Sequence, residues 1–490
     1  MKVSDSNKIL IPILLIGTVL LSYVITKSYM CSFTHDESYS YLYFTQNSFM
    51  DILAYKNWFS NNHILNTIFI KYFDILFGSS ELALRMPNVC LFVLFMLYTY
   101  FLFRKLKPTL QIPLFILMCS NVLLLDLFSM ARGYGLSIGF MLISVFYFLE
   151  YLKLNNNKHL YLFHGAALLA SLSNFTLLTV YSSLLVSYTI IWLLEATIHK
   201  SKKLDLFNSI KPHIIPVIIS FIVLFEPVRR VLTYNNLDFG GKEGLFSNTL
   251  PSLFQSTFQG IPLTPNVTFS LQIIYSLLIL SAVFIIIKNR IDKKTSFFSE
   301  YKNFTASCLV LISLSGILVV LHLVFKVDYP VGRFAIFIFP LFIVFFGFYM
   351  QYLYSRGRIK LALTLPIGLA LISLYSLALN ANFNRLSEWS YDMETKNMVI
   401  LLERLNEDKI KKGEKISLGI DWFFEPTINF YRQTKKLDWL IRVDRNGIDQ
   451  DDMYFYILKE NTDQIDTSKA QVIQEFTTSK TVLYKNKNIN

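Results

Sequence analysis

Charge is scarce in this chain. Of its 490 residues, 16% are Asp, Glu, Lys or Arg, against about 25% in an ordinary soluble domain. The charges fall in short clusters between long apolar stretches, and 53% of the residues are hydrophobic. A soluble globular class is thereby excluded. Cysteine is scarce too: Cys31, Cys90, Cys119 and Cys308 form no CxxC pair, so neither a disulfide framework nor a thiolate zinc site is indicated. Gly-rich nucleotide loops are missing, which argues against a nucleotide-sugar or ATP site. The GxSxG pattern of hydrolases is missing as well. There is no internal repeat and no low-complexity tract.

What is present is a series of apolar segments of bilayer length. A helical span needs about 20 apolar residues, and backbone groups in lipid must be bonded within the segment, so each is expected to be a helix. The expected spans are 9–26, 84–103, 109–128, 133–150, 159–173, 175–195, 212–227, 268–287, 304–325, 334–354 and 360–379. The first resembles a signal peptide, but its apolar run is long and no small-residue cleavage site follows, so it reads as a retained span.

The formal net charge of +12 would point to nucleic acid in a soluble protein. Here it follows the bias of Lys and Arg toward cytoplasmic loops. With the N-terminus inside, those loops hold Arg104, Lys105 and Lys107; Lys153 and Lys158; Lys200, Lys202, Lys203 and Lys211; Lys288, Arg290, Lys293, Lys294 and Lys302; and Arg356, Arg358 and Lys360. The opposite loops hold far fewer, among them Lys27, Lys56, Arg132, Lys242 and Lys326.

Three features then lie outside. The loop 27–82 contains Ile64, Leu65, Ile68, Phe69, Tyr72, Ile75 and Leu76 at helical spacing, a run suited to the membrane interface. The stretch 226–267, with Gly240, Gly241 and Gly244, reads as a long functional loop. The tail 380–490 is soluble in composition. It reads as a small α/β domain, with a helix near 398–405 and strands at 415–420, 453–458, 470–476 and 481–484. The transmembrane part is accordingly 1–379.

Ionisable residues near membrane depth are costly and therefore candidates for function. His35, Asp36 and Glu37 follow the first span. They suit a general base or a divalent-metal ligand, or only a solvated helix end. Asp126 and Arg132 flank a short turn, either as a structural ion pair or with Arg132 on a phosphate, which its planar fork fits. Arg333 stands at the outer start of an apolar helix, as a snorkelling anchor or a phosphate ligand. His63, after Asn61 and Asn62, is a further candidate or a structural histidine.

Taken together, these residues resemble the membrane-embedded GT-C glycosyltransferases, the class of protein O-mannosyltransferases and the lipid A aminoarabinose transferase. The likeness rests on His35-Asp36-Glu37 after the first span, on Phe77-Gly78-Ser79-Ser80-Glu81-Leu82-Ala83-Leu84-Arg85-Met86-Pro87 leading into the second, and on Ser129-x-Ala131-Arg132-x-Tyr134. It also rests on a late Trp389-Ser390-Tyr391-Asp392-x-x-Thr395-Lys396. Many relatives carry His-Pro-Pro where this chain has His63-Ile64-Leu65. Asp126 is placed by nearness rather than by a motif.

The resemblance implies a sugar donor on a polyprenyl phosphate at the outer face of a bacterial inner membrane. Asp36 would be the base, with Asp126 at the second acidic position. Arg132 and Arg333 would bind the donor phosphate, supported by His35, Glu37, His63 and Tyr134. The displacement would invert the anomeric centre, and the acceptor would be a hydroxyl of a glycan, lipid or protein. No cofactor is certain; Glu37 is the candidate for a divalent metal. The rival reading is a flippase for a lipid-linked sugar, but the paired broken helices of many transporters are not evident.

Overall fold

A computed structural model describes residues 3–59, 61–198, 206–234, 240–292 and 294–489. Lys200, Lys202, Lys203 and Lys293 of the charge count lie outside the described residues. Among the described residues, eight helices are long and apolar enough to cross a bilayer: Lys8–Met30, Glu81–Phe103, Gly133–Leu154, Phe175–Glu195, Pro265–Ile291, Lys302–Phe325, Ile338–Ser355 and Ile359–Asn380. Gly133–Leu154 is central, with 78% of its apolar window buried, whereas the first helix is peripheral at 17%.

The expected span 109–128 is broken. Pro108–Cys119 and Val122–Phe128 meet at 62°. The Asn121 side chain accepts the Leu124 N–H at 3.0 Å and so starts a new helix. Counted as one span, the pair makes nine. The expected spans 159–173 and 212–227 are helical, within Asn157–Ser173 and Leu206–Thr233, but are not among the eight. The first has 17 residues and opens on Asn157, Lys158 and His159. The second carries Pro212, Pro216 and Pro227 as well as Lys211 and His213. The expected count of about eleven thus resolves into eight apolar helices, one bent pair and two helices of weaker membrane character.

The ends that charge counting places on one side do lie together. Lys105 pairs with Glu150, and Lys302 with Glu195 at 2.7 Å. At the opposite end the first loop is folded, into His35–Tyr39, a π-turn Ser40–Phe44, Phe49–Leu53 and the amphipathic helix Ile64–Phe77. That helix buries Ile64, Leu65 and Ile70 and exposes Tyr72, Ile75 and Leu76.

The stretch 226–267 is not one loop. Glu226 lies inside a helix and pairs with Arg229 and Arg230, and Leu250–Thr257 is helical. Gly240 and Gly241 seat the intervening chain on the segment 326–334. The Gly241 N–H donates to the Tyr329 carbonyl at 2.9 Å, and a Cβ on Gly240 would come within 2.5 Å of that oxygen. Arg333 belongs to a 3-10 turn, Gly332–Phe334, ahead of the helix Ile338–Ser355 rather than at its start.

The C-terminal domain has one four-stranded sheet, β1 (Leu418–Ile420), β2 (Tyr454–Leu458), β3 (Ala470–Phe476) and β4 (Thr481–Asn486), in the order β1-β2-β4-β3. β1 and β2 are parallel, and the other pairs are antiparallel. Helices Thr395–Leu405 and Glu425–Thr434 accompany it. Its core is continuous with one end of the bundle: Phe33, Tyr41, Leu84 and Ala131 cluster with Met398, Leu418, Phe430 and Tyr431. The Phe33 and Phe430 rings stack with centroids 4.2 Å apart.

Candidate active site

The site is built on one buried ion pair. Arg85, near the start of Glu81–Phe103, is fully buried. A guanidinium has five N–H donors in a fixed fork, and all five are used here. Two reach Glu37, at 2.8 and 2.7 Å, and three reach the Ser28, Cys31 and Ser32 carbonyls at 2.8–2.9 Å. The carbonyl contacts satisfy oxygens at the end of the first helix that have no partner within it. Glu37 in turn accepts the Thr34 N–H, the Thr34 hydroxyl and the Ala131 N–H. Five hydrogen bonds fill the capacity of its carboxylate, leaving no lone pair for a cation. Among the described residues no three His, Cys, Asp or Glu side chains converge as a metal site. Glu37 thus holds Arg85, Thr34 and Ala131 together.

Glu37 also closes a capping box with Thr34, which starts the short helix His35–Tyr39 and fixes Asp36. The Oδ2 of Asp36 lies 3.5 Å from Arg132 Nη2 and accepts the Trp389 Nε1–H at 3.2 Å. The side chain is 18% exposed, and among the described residues Oδ1 has no hydrogen-bond donor. His35 points away: its Nδ1 bonds the Phe423 carbonyl at 2.5 Å, tying the C-terminal domain to the site. Burial lowers its pKa, more than the Phe423 contact and the Asp36 charge raise it.

Tyr134 is the hub of the remaining predicted residues. His63 packs edge-on to its ring at 5.1 Å, and the guanidiniums of Arg132 and Arg333 lie 5.8 and 5.9 Å from its centroid. Arg333 Nε donates to the Tyr134 hydroxyl at 3.3 Å. Gly133 makes this crowding possible, because a Cβ there would fall 2.6 Å from the His63 ring. Arg132 donates through Nη1 to the Asn61 carbonyl at 2.9 Å, while among the described residues its buried Nε has no partner. His63 Nε2 is also buried and unpartnered. Burial, with the Arg132 charge second, holds the His63 pKa well below the usual range, so the ring is neutral. Arg333 is raised above its ordinary value: burial acts against the charge, but Tyr134, Asp36 and Glu388 more than offset it. The structure thus brings Asp36, Arg132, His63, Tyr134 and Arg333 together.

Asp126 stands apart from them. Its Oδ1 takes Lys27 Nζ at 2.5 Å, and its Oδ2 takes the Ser387 N–H and hydroxyl at 2.8 and 2.6 Å. The bend at Asn121 turns the carboxylate toward the first helix, away from Arg132. With both oxygens occupied and the side chain buried, Asp126 joins the first helix to the segment at Ser387.

Lys27, Arg85, Ser387, Glu388 and Trp389 were not singled out individually by sequence reasoning. Arg85 and Trp389 lie in the resembling motifs, and a lysine or arginine at the end of an apolar helix is itself a signal. Asp392 is a further buried acid. It accepts the Thr395 and Thr427 hydroxyls at 2.7 and 2.6 Å, and burial pushes its pKa up to about 7. Folded protein then holds a proton between the ordinary carboxylate pKa of about 4 and pH 7 that unfolded chain releases. Asp392's contribution to stability is complete below that ordinary pKa and is lost as pH rises to 7. We expect the melting temperature of Asp392→Asn, relative to the parent, to move in the variant's favour between pH 5 and pH 8. A pH-independent difference would refute the assignment.

No protein-family model and no curated protein sequence matches the chain. Among solved structures the chain is similar to the ArnT protein of Cupriavidus metallidurans in the apo state, with a TM-score of 0.46 and 9% identity over 98% of each chain. It is also similar to the same protein bound to undecaprenyl phosphate, with a TM-score of 0.44 and 9% identity over 97% of each chain.

Proposed function

We propose that this protein is a glycosyltransferase that moves a sugar from a polyprenyl-phosphate carrier to a hydroxyl acceptor at the outer face of a bacterial inner membrane. The observation that carries this reading is the pairing of an open carboxylate oxygen on Asp36 with two arginines around Tyr134. Asp36 Oδ1 takes the acceptor's hydroxyl proton as the acceptor oxygen attacks the anomeric carbon. The bond from that carbon to the phosphate oxygen breaks, and its electron pair leaves with polyprenyl phosphate. Arg132 and Arg333 offset the charge that builds on the leaving oxygen. The partnerless Nε of Arg132 is a donor available for this. One displacement inverts the centre. The His63 and Tyr134 rings, packed edge-on at 5.1 Å, shape the same space. A hexose or pentose donor and a glycan, lipid or protein acceptor belong to this proposal.

The test is release of polyprenyl phosphate from a panel of radiolabelled polyprenyl-phosphate sugars by the purified protein, with cell extract supplying acceptor. Release with one donor supports the reading and names the sugar. No release with any donor turns the balance to a flippase for a lipid-linked sugar.

A further inference from the structure

Three consecutive residues of the segment Ser387–Asp392 hold three of the charged groups described above. Ser387 donates twice to Asp126 and lies 3.2 Å from the Gln259 side chain. Glu388 Oε2 takes Arg333 Nη1 at 3.0 Å. Trp389 donates to Asp36, and its ring centroid lies 4.7 Å from the Arg333 guanidinium. The three grips are not alike. Ser387 is fastened to a buried ion pair, and Trp389 is itself buried. Glu388 is 32% exposed and makes a single bond to an arginine that is 25% exposed. A half-buried pair held by one bond is more readily exchanged than the fully buried, saturated Glu37–Arg85 pair. Arg333 does not depend on it for position, because Tyr134, Phe334 and Trp389 hold the guanidinium from other sides.

We propose that Glu388 is a carboxylate stand-in for the donor's phosphate. It neutralises Arg333 while the site is empty and gives the guanidinium up when a lipid phosphate arrives. This rests on the donor reading above and adds a residue that sets donor affinity. A phosphate arriving at Arg333 meets the Glu388 carboxylate as a like charge, so binding is opposed until the Glu388 contact is given up. Removing the carboxylate's charge removes that competition.

The experiment is equilibrium binding of a short-chain radiolabelled polyprenyl phosphate to the purified full-length protein. The proteins compared are the parent, Glu388→Gln, Arg333→Ala and the double variant, with thermal melting to check folding. Glu388→Gln is expected to bind about two- to fivefold tighter, the scale of a partly exposed ion pair. Arg333→Ala is expected to bind more weakly and to abolish the gain when combined with it. Glu388→Ala serves in the same comparison if the Gln variant does not fold. Equal or weaker binding by Glu388→Gln, with the parent binding and Arg333→Ala impaired, overturns this inference and leaves the donor reading standing. Absence of binding by the parent and by Glu388→Gln overturns both.

Discussion

Replacing Asp36 with Asn is expected to lower the turnover of sugar transfer by about 10²- to 10⁴-fold, the contribution of a positioned general base. Binding of polyprenyl phosphate should change little. The amide keeps an oxygen for the Trp389 N–H and fills the same space, but it cannot take a proton. The carboxylate is otherwise well supported: Arg132 lies 3.5 Å and Trp389 3.2 Å from one oxygen, so the other alone faces the acceptor. A loss confined to kcat, with donor affinity retained, identifies a group that acts on the reacting atoms. Full activity in Asp36→Asn would move the base elsewhere. Comparable loss of donor binding would make Asp36 part of the scaffold instead.

The second large effect concerns stability. Arg85→Met should destabilise the outer end of the protein by about 3–5 kcal/mol, the usual result of stripping one partner from a buried ion pair. The Glu37 carboxylate would be left buried without its countercharge, and three carbonyls at the end of the first helix would lose their donor. Arg85→Lys should fare little better, because one ammonium cannot reproduce the five-donor fork. Pairing Arg85→Met with Glu37→Gln should recover part of the loss, since the stranded charge is then gone. Thermal inactivation in detergent measures this. A melting temperature unchanged in Arg85→Met would show that the pair does not hold the site together. Because Glu37 and Asp36 are adjacent, activity should fall with stability in this series, unlike in Asp36→Asn.

Much of this protein was legible from local pattern. Eight of the eleven expected spans stand as separate apolar helices close to their expected limits, among them Glu81–Phe103 and Lys302–Phe325. The four expected strands all form, β3 with the expected bounds. Hydrophobic runs and alternation are set by neighbours a few residues apart, so composition carries them directly. Asp36, Arg132 and Arg333 could be singled out from the sequence because a titratable group at the mouth of an apolar helix is costly, and Tyr134 through the Ser129-x-Ala131-Arg132-x-Tyr134 motif. That these residues and His63 lie together is a matter of geometry, and their roles belong to the proposal. The bend at Asn121 was hidden, because a cap that interrupts an apolar run leaves its hydropathy unchanged.

Which charge meets which was decided only by the tertiary packing. Asp126 lies six residues from Arg132 in the chain, yet its partner is Lys27, 99 positions away. Trp389 reaches Asp36 across 353 positions and Ser387 reaches Asp126 across 261. Sequence nearness favoured the Asp126–Arg132 pairing, and the break before Val122–Phe128 turned the carboxylate elsewhere. Glu37, which reads as a candidate ligand beside Asp36, is consumed by an arginine 48 positions on. The physical reason is common to all of these. Burying a charge is tolerable only beside its opposite, and the bundle and its C-terminal domain determine which ends arrive side by side. Residue types and their depth follow from local composition, whereas partners follow from the packing of distant helix ends.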